Sequence, residues 1–342
     1  MRWGVSVMYW PWMAWDEQVA LARRADELGA DSVWVAEGYG QEAVALLGAL
    51  SAVTERVRLA AGILQIPARA PAATATAAAT LDRISGGRLL LGLGLSGPQV
   101  SEGWYGVPFT APLRRTREYV EIVRAALSGE RLTYDGREWT IPTPDGLGLG
   151  KPLKMLGPGA VQERVPIYLG VGGPRTVAQC GEIADGWLPF LFSPEHADEL
   201  TAPLLDGIAA AGRRRADVTV APMVPAAVHD DLGTARDLVR PILAFYLGGM
   251  GAKGRNFYTD LAVRYGHGPS ALTCQDRFLA GDRRGAEAAL TTELIDTVAI
   301  AATPSTLEKR LGAFADAGVD TLVVTPFGDR AGVLDAMAGA LA

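Results

Sequence analysis

The sequence predicts an α/β fold, a (β/α)8 TIM barrel with a helical insertion between strands seven and eight. Three observations carry this expectation. Short apolar runs alternate with amphipathic runs in units of roughly 25–35 residues, the order that builds a parallel sheet covered by helices. The unbroken apolar run that Leu89-Leu90-Leu91 opens, bounded by glycine turns, reads as a strand buried on both faces. The chain has 342 residues, a length that one such barrel fills as a single domain.

Trp3 to Met8 reads as the first strand, followed by a loop with Tyr9, Trp10, Trp12 and Trp15. Asp16 is expected to cap the helical run after it, and Gly29 to end that run. The second strand is Asp31 to Ala36, ending at Glu37; a helix over 42–53 leads to a third strand, Val57 to Ile63. Pro71 opens a helix through Ile84. The stretch SGGRLLLGLGLSGPQVSEGWYG, 85–106, then supplies the fourth strand and a loop rich in stacking and hydrogen-bonding groups. Gly92 and Gly94 lie two apart on one face of that strand, which predicts that another body approaches its backbone closely.

A helix over 112–127 follows, and then the pattern lapses. Residues 129–165 read as a small hairpin and an irregular excursion. Pro166 to Val171 is the fifth strand, Asp185 to Leu188 the sixth and Val218 to Val228 the seventh. Only helical patterning is expected between 232 and 318, the insertion itself spanning 232–303, before the last strand at Val319 to Val324. The whole of 1–342 thus reads as one domain.

Composition excludes several classes of function. A net charge of −6 with 20% charged residues argues against nucleic acid or a membrane surface as partner. No apolar run is long enough to span a bilayer, and the N-terminus lacks the pattern of a secretory signal, so a cytoplasmic protein is expected. Cys180 and Cys274 are too few for a disulfide framework. No metal is expected, because His196, His229 and His267 stand in no ligand spacing. A serine nucleophile is disfavoured by the lack of a GxSxG elbow.

In a barrel of this kind the loops after the strands share one functional face. Those strand ends offer Tyr9, Trp10 and Trp12; then Glu37 and Tyr39; then Gly62, Ile63 and Gln65; then Ser96, Glu102 and Trp104. The fifth ends in Gly172, Gly173, Pro174, Arg175 and Thr176. The set is aromatic, glycine-rich and poor in metal ligands, which suits a flat ring bound against backbone. Gly172 to Thr176 joins a strand to a helix start, where free amides and the helix dipole can cradle a phosphate, although a plain turn has the same sequence. Glu37, Glu102 and Tyr39 are the candidate catalytic groups. Each glutamate is equally readable as a carboxylate held by backbone amides.

Taken together, AEGYG at 36–40, the 85–106 stretch, LRRTREYVEIVR at 113–124, PIYLGVGGPRTVAQCGEIADGW at 166–187 and YLGGMGAKGRNFY at 246–258 resemble the luciferase-like superfamily, in particular its coenzyme F420-dependent branch. That resemblance implies a deazaflavin at the C-terminal ends of the strands and hydride transfer at the ring's C5. It also implies a non-proline cis peptide behind the ring, assigned to Gly62-Ile63, and cofactor phosphate near Gly172 to Thr176. Gln65 and Ser96 would complete the cofactor site. Arg69, Lys151, Lys154 and Arg255 are the basic residues available to the cofactor's acidic tail. Trp10, Trp12, Trp104 and Phe190 would wall a pocket for a small organic substrate, and a homodimer is implied, the GGMG segment being one candidate surface for it. Many F420 enzymes carry a histidine directly after the acidic residue of strand two; here Gly38 stands there. Two alternatives share the barrel: an FMN-dependent monooxygenase, and a non-catalytic or redox-neutral descendant.

Overall fold

Apolar runs that pair side by side bury both faces only when helices cover one and side chains fill the other, and the chain does both. The computed structural model describes residues 1–9 and 11–341. Its strands are β1 (Arg2–Val7), β2 (Ser32–Val35), β3 (Arg58–Ala61), β4 (Leu64–Gln65), β5 (Leu89–Gly94), β6 (Tyr134–Asp135), β7 (Thr140–Ile141), β8 (Ile167–Leu169), β9 (Gly186–Trp187), β10 (Thr219–Val220), β11 (Met223–Val228), β12 (Ile300–Ala302) and β13 (Thr321–Pro326). All but β6 and β7 lie in one sheet, in the order β10-β9-β8-β5-β3-β2-β1-β13-β11-β12, with β4 against β5. Every pairing within that sheet is parallel.

The sheet is strongly curled. β10 pairs with β9 and β11 with β13, yet both belong to one run of chain interrupted only at Ala221-Pro222. At that break the Ala221 N–H donates to the Trp187 carbonyl at 2.8 Å, and the Pro222 carbonyl accepts from the Val323 N–H at 2.9 Å. The run 219–228 therefore touches β9 with its first half and β13 with its second.

Two cores result. Inside the curl lie Trp34, Leu90, Tyr168, Leu188, Met223 and Val323, with the rings of Trp34 and Tyr168 edge to face at 5.2 Å. Between strands and helices lies the larger core, to which the same strands contribute the alternate residues Val33, Val35, Leu89, Leu91, Ile167 and Leu169. This alternation is the pleat of a strand buried on both sides.

The expected order of elements is present, with differences that have physical causes. The third strand breaks at Gly62-Ile63, where the peptide is cis. Helix Trp15–Glu27 begins a residue before Asp16, and Glu17 rather than Asp16 closes its first turn by accepting from the Ala14 N–H at 3.0 Å. A short helix, Pro98–Gly103, lies in the loop after β5. The stretch expected to be only helical holds five helices and then β12, which pairs with β11; a three-residue apolar run is too short to announce a strand by pattern. The excursion at 129–165 carries the β6–β7 hairpin.

The glycine spacing in β5 has a specific partner. A side-chain atom on Gly92 would stand 1.9 Å from the Ala61 carbonyl oxygen, and one on Gly94 would stand 2.9 Å from Cδ1 of Ile63. Gly170, after β8, meets Ile63 in the same way, at 2.9 Å from Cγ2. The body that approaches β5 is thus the neighbouring strand end, with the Ile63 side chain turned inward over three glycines. Backbone cannot yield as a side-chain tip can, so Gly92→Ala is expected to cost about 3 kcal/mol and Gly94→Ala about 1. Urea unfolding of the two variants checks the order.

Candidate active site

The strand mouths are tied together by one buried ion pair. Glu37 ends β2 with its side chain 2% exposed. Arg69 grips it with two arms, Nη1 donating to Oε2 at 2.9 Å and Nη2 to Oε1 at 2.6 Å. The Gln65 N–H, on β4, donates to Oε2 at 2.8 Å, and the Ala43 N–H, at the start of helix Ala43–Ser51, donates to Oε1 at 3.3 Å. Arg69 also pairs with Glu42, and its carbonyl accepts from the Tyr119 hydroxyl at 3.2 Å. The hydrogen bonds that Arg69 donates to Glu37 hold its pKa above the ordinary value, against the opposing effect of burial. Burial pushes the Tyr119 phenol up to about 12.

This geometry realises the amide-held reading of both glutamates. The Glu37 oxygens are committed to Arg69 and two amides, and Arg69 is thereby committed away from a cofactor tail. Glu102 is exposed on helix Pro98–Gly103, its Oε1 accepting from the Phe109 N–H at 3.0 Å. Tyr39 is 52% and Trp104 63% exposed, with ring centroids 6.2 Å apart. These two rings meet at a tilt of 50° at the rim.

Tyr39, Ser96, Gly97, Gln99 and Val100 face the 249–252 segment of the insertion across a cleft of about 250 Å³. Ser96 adopts the left-handed backbone conformation, φ 59°, and sits exposed at the mouth of β5. The GGMG segment thus lines the cleft. Behind it, Gly62 closes over the inner core, where an added side-chain atom would meet Met223 at 3.0 Å and Trp34 at 3.4 Å.

The turn after β8 divides in two. An atom added to Gly172 would fall 2.0 Å from the Phe257 ring, whereas one on Gly173 would meet nothing nearer than the Thr176 hydroxyl at 3.5 Å. Gly172 therefore admits Phe257, and Gly173 stays open. Helix Pro174–Ile183 starts immediately after, leaving the first-turn amides of Arg175 and Thr176 without intrahelical acceptors. The Thr176 hydroxyl donates to the Gly173 carbonyl at 2.8 Å. The Arg175 side chain lines a separate hollow of about 430 Å³ with Arg114, Arg117 and Glu182, on the outer helices.

Of the expected substrate walls, Trp10 lies outside the described residues. Trp12 packs edge-on against Phe245 and Phe327, at 5.7 and 6.4 Å. Phe190 packs against Tyr246 and Tyr258, at 4.3 and 5.7 Å. The insertion thus brings Trp12 and Phe190 into one aromatic wall, from which Trp104 is separate. Sequence reasoning missed Arg69 as the partner of Glu37, and missed Tyr246 and Tyr258. The signal for the tyrosines lay in and just before YLGGMGAKGRNFY, where a glycine break separates Phe245-Tyr246 from Phe257-Tyr258.

A model of the luciferase-like monooxygenase family matches residues 3–321. The chain belongs to the luciferase-like family. This family member is 38% identical over 330 residues, 95% of each chain, to a Mycobacterium tuberculosis protein assigned as a coenzyme F420-dependent oxidoreductase. It is 29% identical over 335 residues, 96% of this chain and 94% of the other, to the 5,10-methylenetetrahydromethanopterin reductase of Archaeoglobus fulgidus. Its fold matches the F420-dependent tetrahydromethanopterin reductase of Methanopyrus kandleri at a TM-score of 0.81 and 22% identity, covering 98% and 97% of the two chains.

The luciferase-like chain offers a ring cofactor two unspent groups. The Gln65 side chain is buried and its Oε1 has no partner among the described residues, while its Nε2 is held by the Glu37 carbonyl at 3.2 Å. An acceptor fixed in this way suits an N–H or O–H donor on a bound ring. The open amides at Gly173 suit an anion. Among the described residues no three His, Cys, Asp or Glu side chains gather as a metal site, and no helix is long and apolar enough to cross a membrane.

Removing Arg69 strands a buried carboxylate. Arg69→Met is expected to lower stability by about 3–5 kcal/mol, and adding Glu37→Gln to recover part of the loss. Denaturant unfolding of the single and double variants measures both.

Proposed function

We propose that the chain is a coenzyme F420-dependent oxidoreductase that passes a hydride between the deazaflavin C5 and a small, uncharged organic substrate. The observation that carries this reading is the likeness over 95% of the chain to a protein assigned to F420 chemistry. Two unspent groups at the strand mouths, Gln65 Oε1 and the amides after Gly173, support it. The proposal includes a single domain folded as an eight-unit barrel with the insertion before its last strand, in a cytoplasmic homodimer.

When bound, the deazaflavin supplies a two-electron hydride carrier. The work left to the protein is to bind, orient and keep water out. Gly62 and Ile63 would back the ring, Gln65 and Ser96 would meet its polar edge, and Gly173 with the Arg175 and Thr176 amides would take the phosphate. Trp12 and Phe190, with the insertion tyrosines, form a wall that offers an incoming substrate apolar contact and phenolic hydroxyls. Glu37 and Arg69 would hold the mouths in register rather than move protons.

FMN-dependent monooxygenation is the second reading, supported by the family model's own description as luciferase-like monooxygenase. Equilibrium dialysis against F420 and FMN side by side separates the two, F420 being expected to bind at least tenfold more tightly. Retention of FMN alone overturns the first reading, and binding of neither favours a redox-neutral descendant. Gly173→Asp adds a carboxylate where the backbone is unstrained, φ −75°, and space is open. It is expected to weaken F420 binding at least tenfold with the unfolding midpoint unchanged.

A further inference from the structure

Two helices of the outer layer leave a charged groove between them. Helix Pro112–Leu127 and helix Pro174–Ile183 pack side by side, and both begin at the strand-mouth end of the sheet. The hollow of about 430 Å³ lies between them. Arg114 and Arg117, one turn apart, line it from the first helix, and Arg175 and Glu182, two turns apart, from the second. From 175 to 182 the groove runs roughly 10 Å. The Gln179 Nε2 crosses it, donating to the Leu113 carbonyl at 2.8 Å, so the two helices are pinned at a set width.

We propose that this groove is a binding site for an extended polycarboxylate, a flexible chain that carries several carboxylates on methylene links. Two sources share that chemistry. One is the acidic tail of the bound cofactor, which rests on the F420 reading above; the other is a free polycarboxylate.

Three features support the assignment. First, cationic charge is left unspent. Glu138 pairs with Arg114 and Arg115, and Glu182 with Arg117, whereas Arg175 is exposed and has no ion pair among the described residues. Arg114 spends Nε and Nη2 on Glu138, which leaves its Nη1 free to donate. This cluster stands out in a chain of net charge −6. Second, the charge is graded along the groove. Arg175 sits at the end where both helix N-termini add positive potential, and the Glu182 carboxylate closes the other end. An anionic chain is therefore drawn in at the mouth and halted before Glu182. Third, Leu113 and Ala178 lie among the guanidiniums. Apolar floor between cations suits methylenes between carboxylates better than a compact inorganic anion. Arg175 also follows Gly173 by two residues, so a tail leaving a phosphate on that turn starts at the cationic end.

The test separates the two sources. Equilibrium dialysis at low salt compares F420 carrying its tail with F420 trimmed back to its phosphate, and calorimetry follows tri-γ-glutamate as the free probe. If the tail is the ligand, wild type binds the tailed form about tenfold more tightly than the trimmed one. Arg175→Gln then lowers that ratio about threefold, Arg175→Glu abolishes it, and so does salt at about 0.5 M. If a free polycarboxylate is the ligand, the two forms of F420 bind alike, while tri-γ-glutamate binds wild type and is lost from Arg175→Glu. Arg114→Gln, acting from the other helix, should move the same readout in the same direction as Arg175→Gln. Unfolding midpoints should match wild type in all three variants, because these side chains are exposed. Tail preference and tri-γ-glutamate binding both absent from wild type, or both unchanged in Arg175→Glu and Arg114→Gln, overturn the proposal. Failure of the F420 reading shows separately, as wild type that retains neither form of the cofactor. Tri-γ-glutamate then decides alone.

Discussion

The Glu37–Arg69 pair is the constraint on which the strand mouths depend. It is buried, bidentate and supplied with amides from two different elements, and it reaches through Arg69 to Tyr119 on a third. Charges out of water are tolerated only where both partners and their remaining hydrogen-bonding positions are satisfied. The arrangement therefore fixes where β2, β4 and helix Ala43–Ser51 stand relative to one another. It also leaves the most conspicuous carboxylate of the mouth hydrogen-bonded at both oxygens, and the mouth that remains is rich in aromatic rings and hydroxyls.

The insertion completes that mouth from above. Two of its helices, Leu232–Gly249 and Phe257–Arg264, meet at the 249–256 turn, where Gly249 and Gly251 line the cleft and Asn256 fastens both helices. Phe257 packs so closely on Gly172 that the turn after β8 and the insertion become one surface. The aromatic wall and the turn after β8 are thus positioned by the same segment. A cofactor and a substrate would share a single scaffold rather than two independent loops.

Much of this was legible in the chain. The unbroken apolar run of β5 marked a buried parallel strand, and the glycine pair at 92 and 94 announced a close neighbour. The cis bond at Gly62-Ile63 was implied by family likeness, not by anything in the local residues. What could not be read was which side chains far apart in sequence would meet. Arg69 looked like one of four spare basic residues until the fold laid it across Glu37. Tyr246 and Tyr258 stood in a stretch read only as helical, and 3.6-residue periodicity says which face is buried and not what lies opposite. β12 escaped because three apolar residues between helices carry no period at all.

Ile63 against Gly92, Gly94 and Gly170 has a consequence for how such a site can diversify. Four positions on three strands of chain behave there as one mechanical unit. A bulkier residue at 63 would have nowhere to go, and a smaller one would leave a hollow that three hydrogens cannot fill. Substitution is therefore better tolerated at the rim and the helical cap than at this floor, where one change demands others.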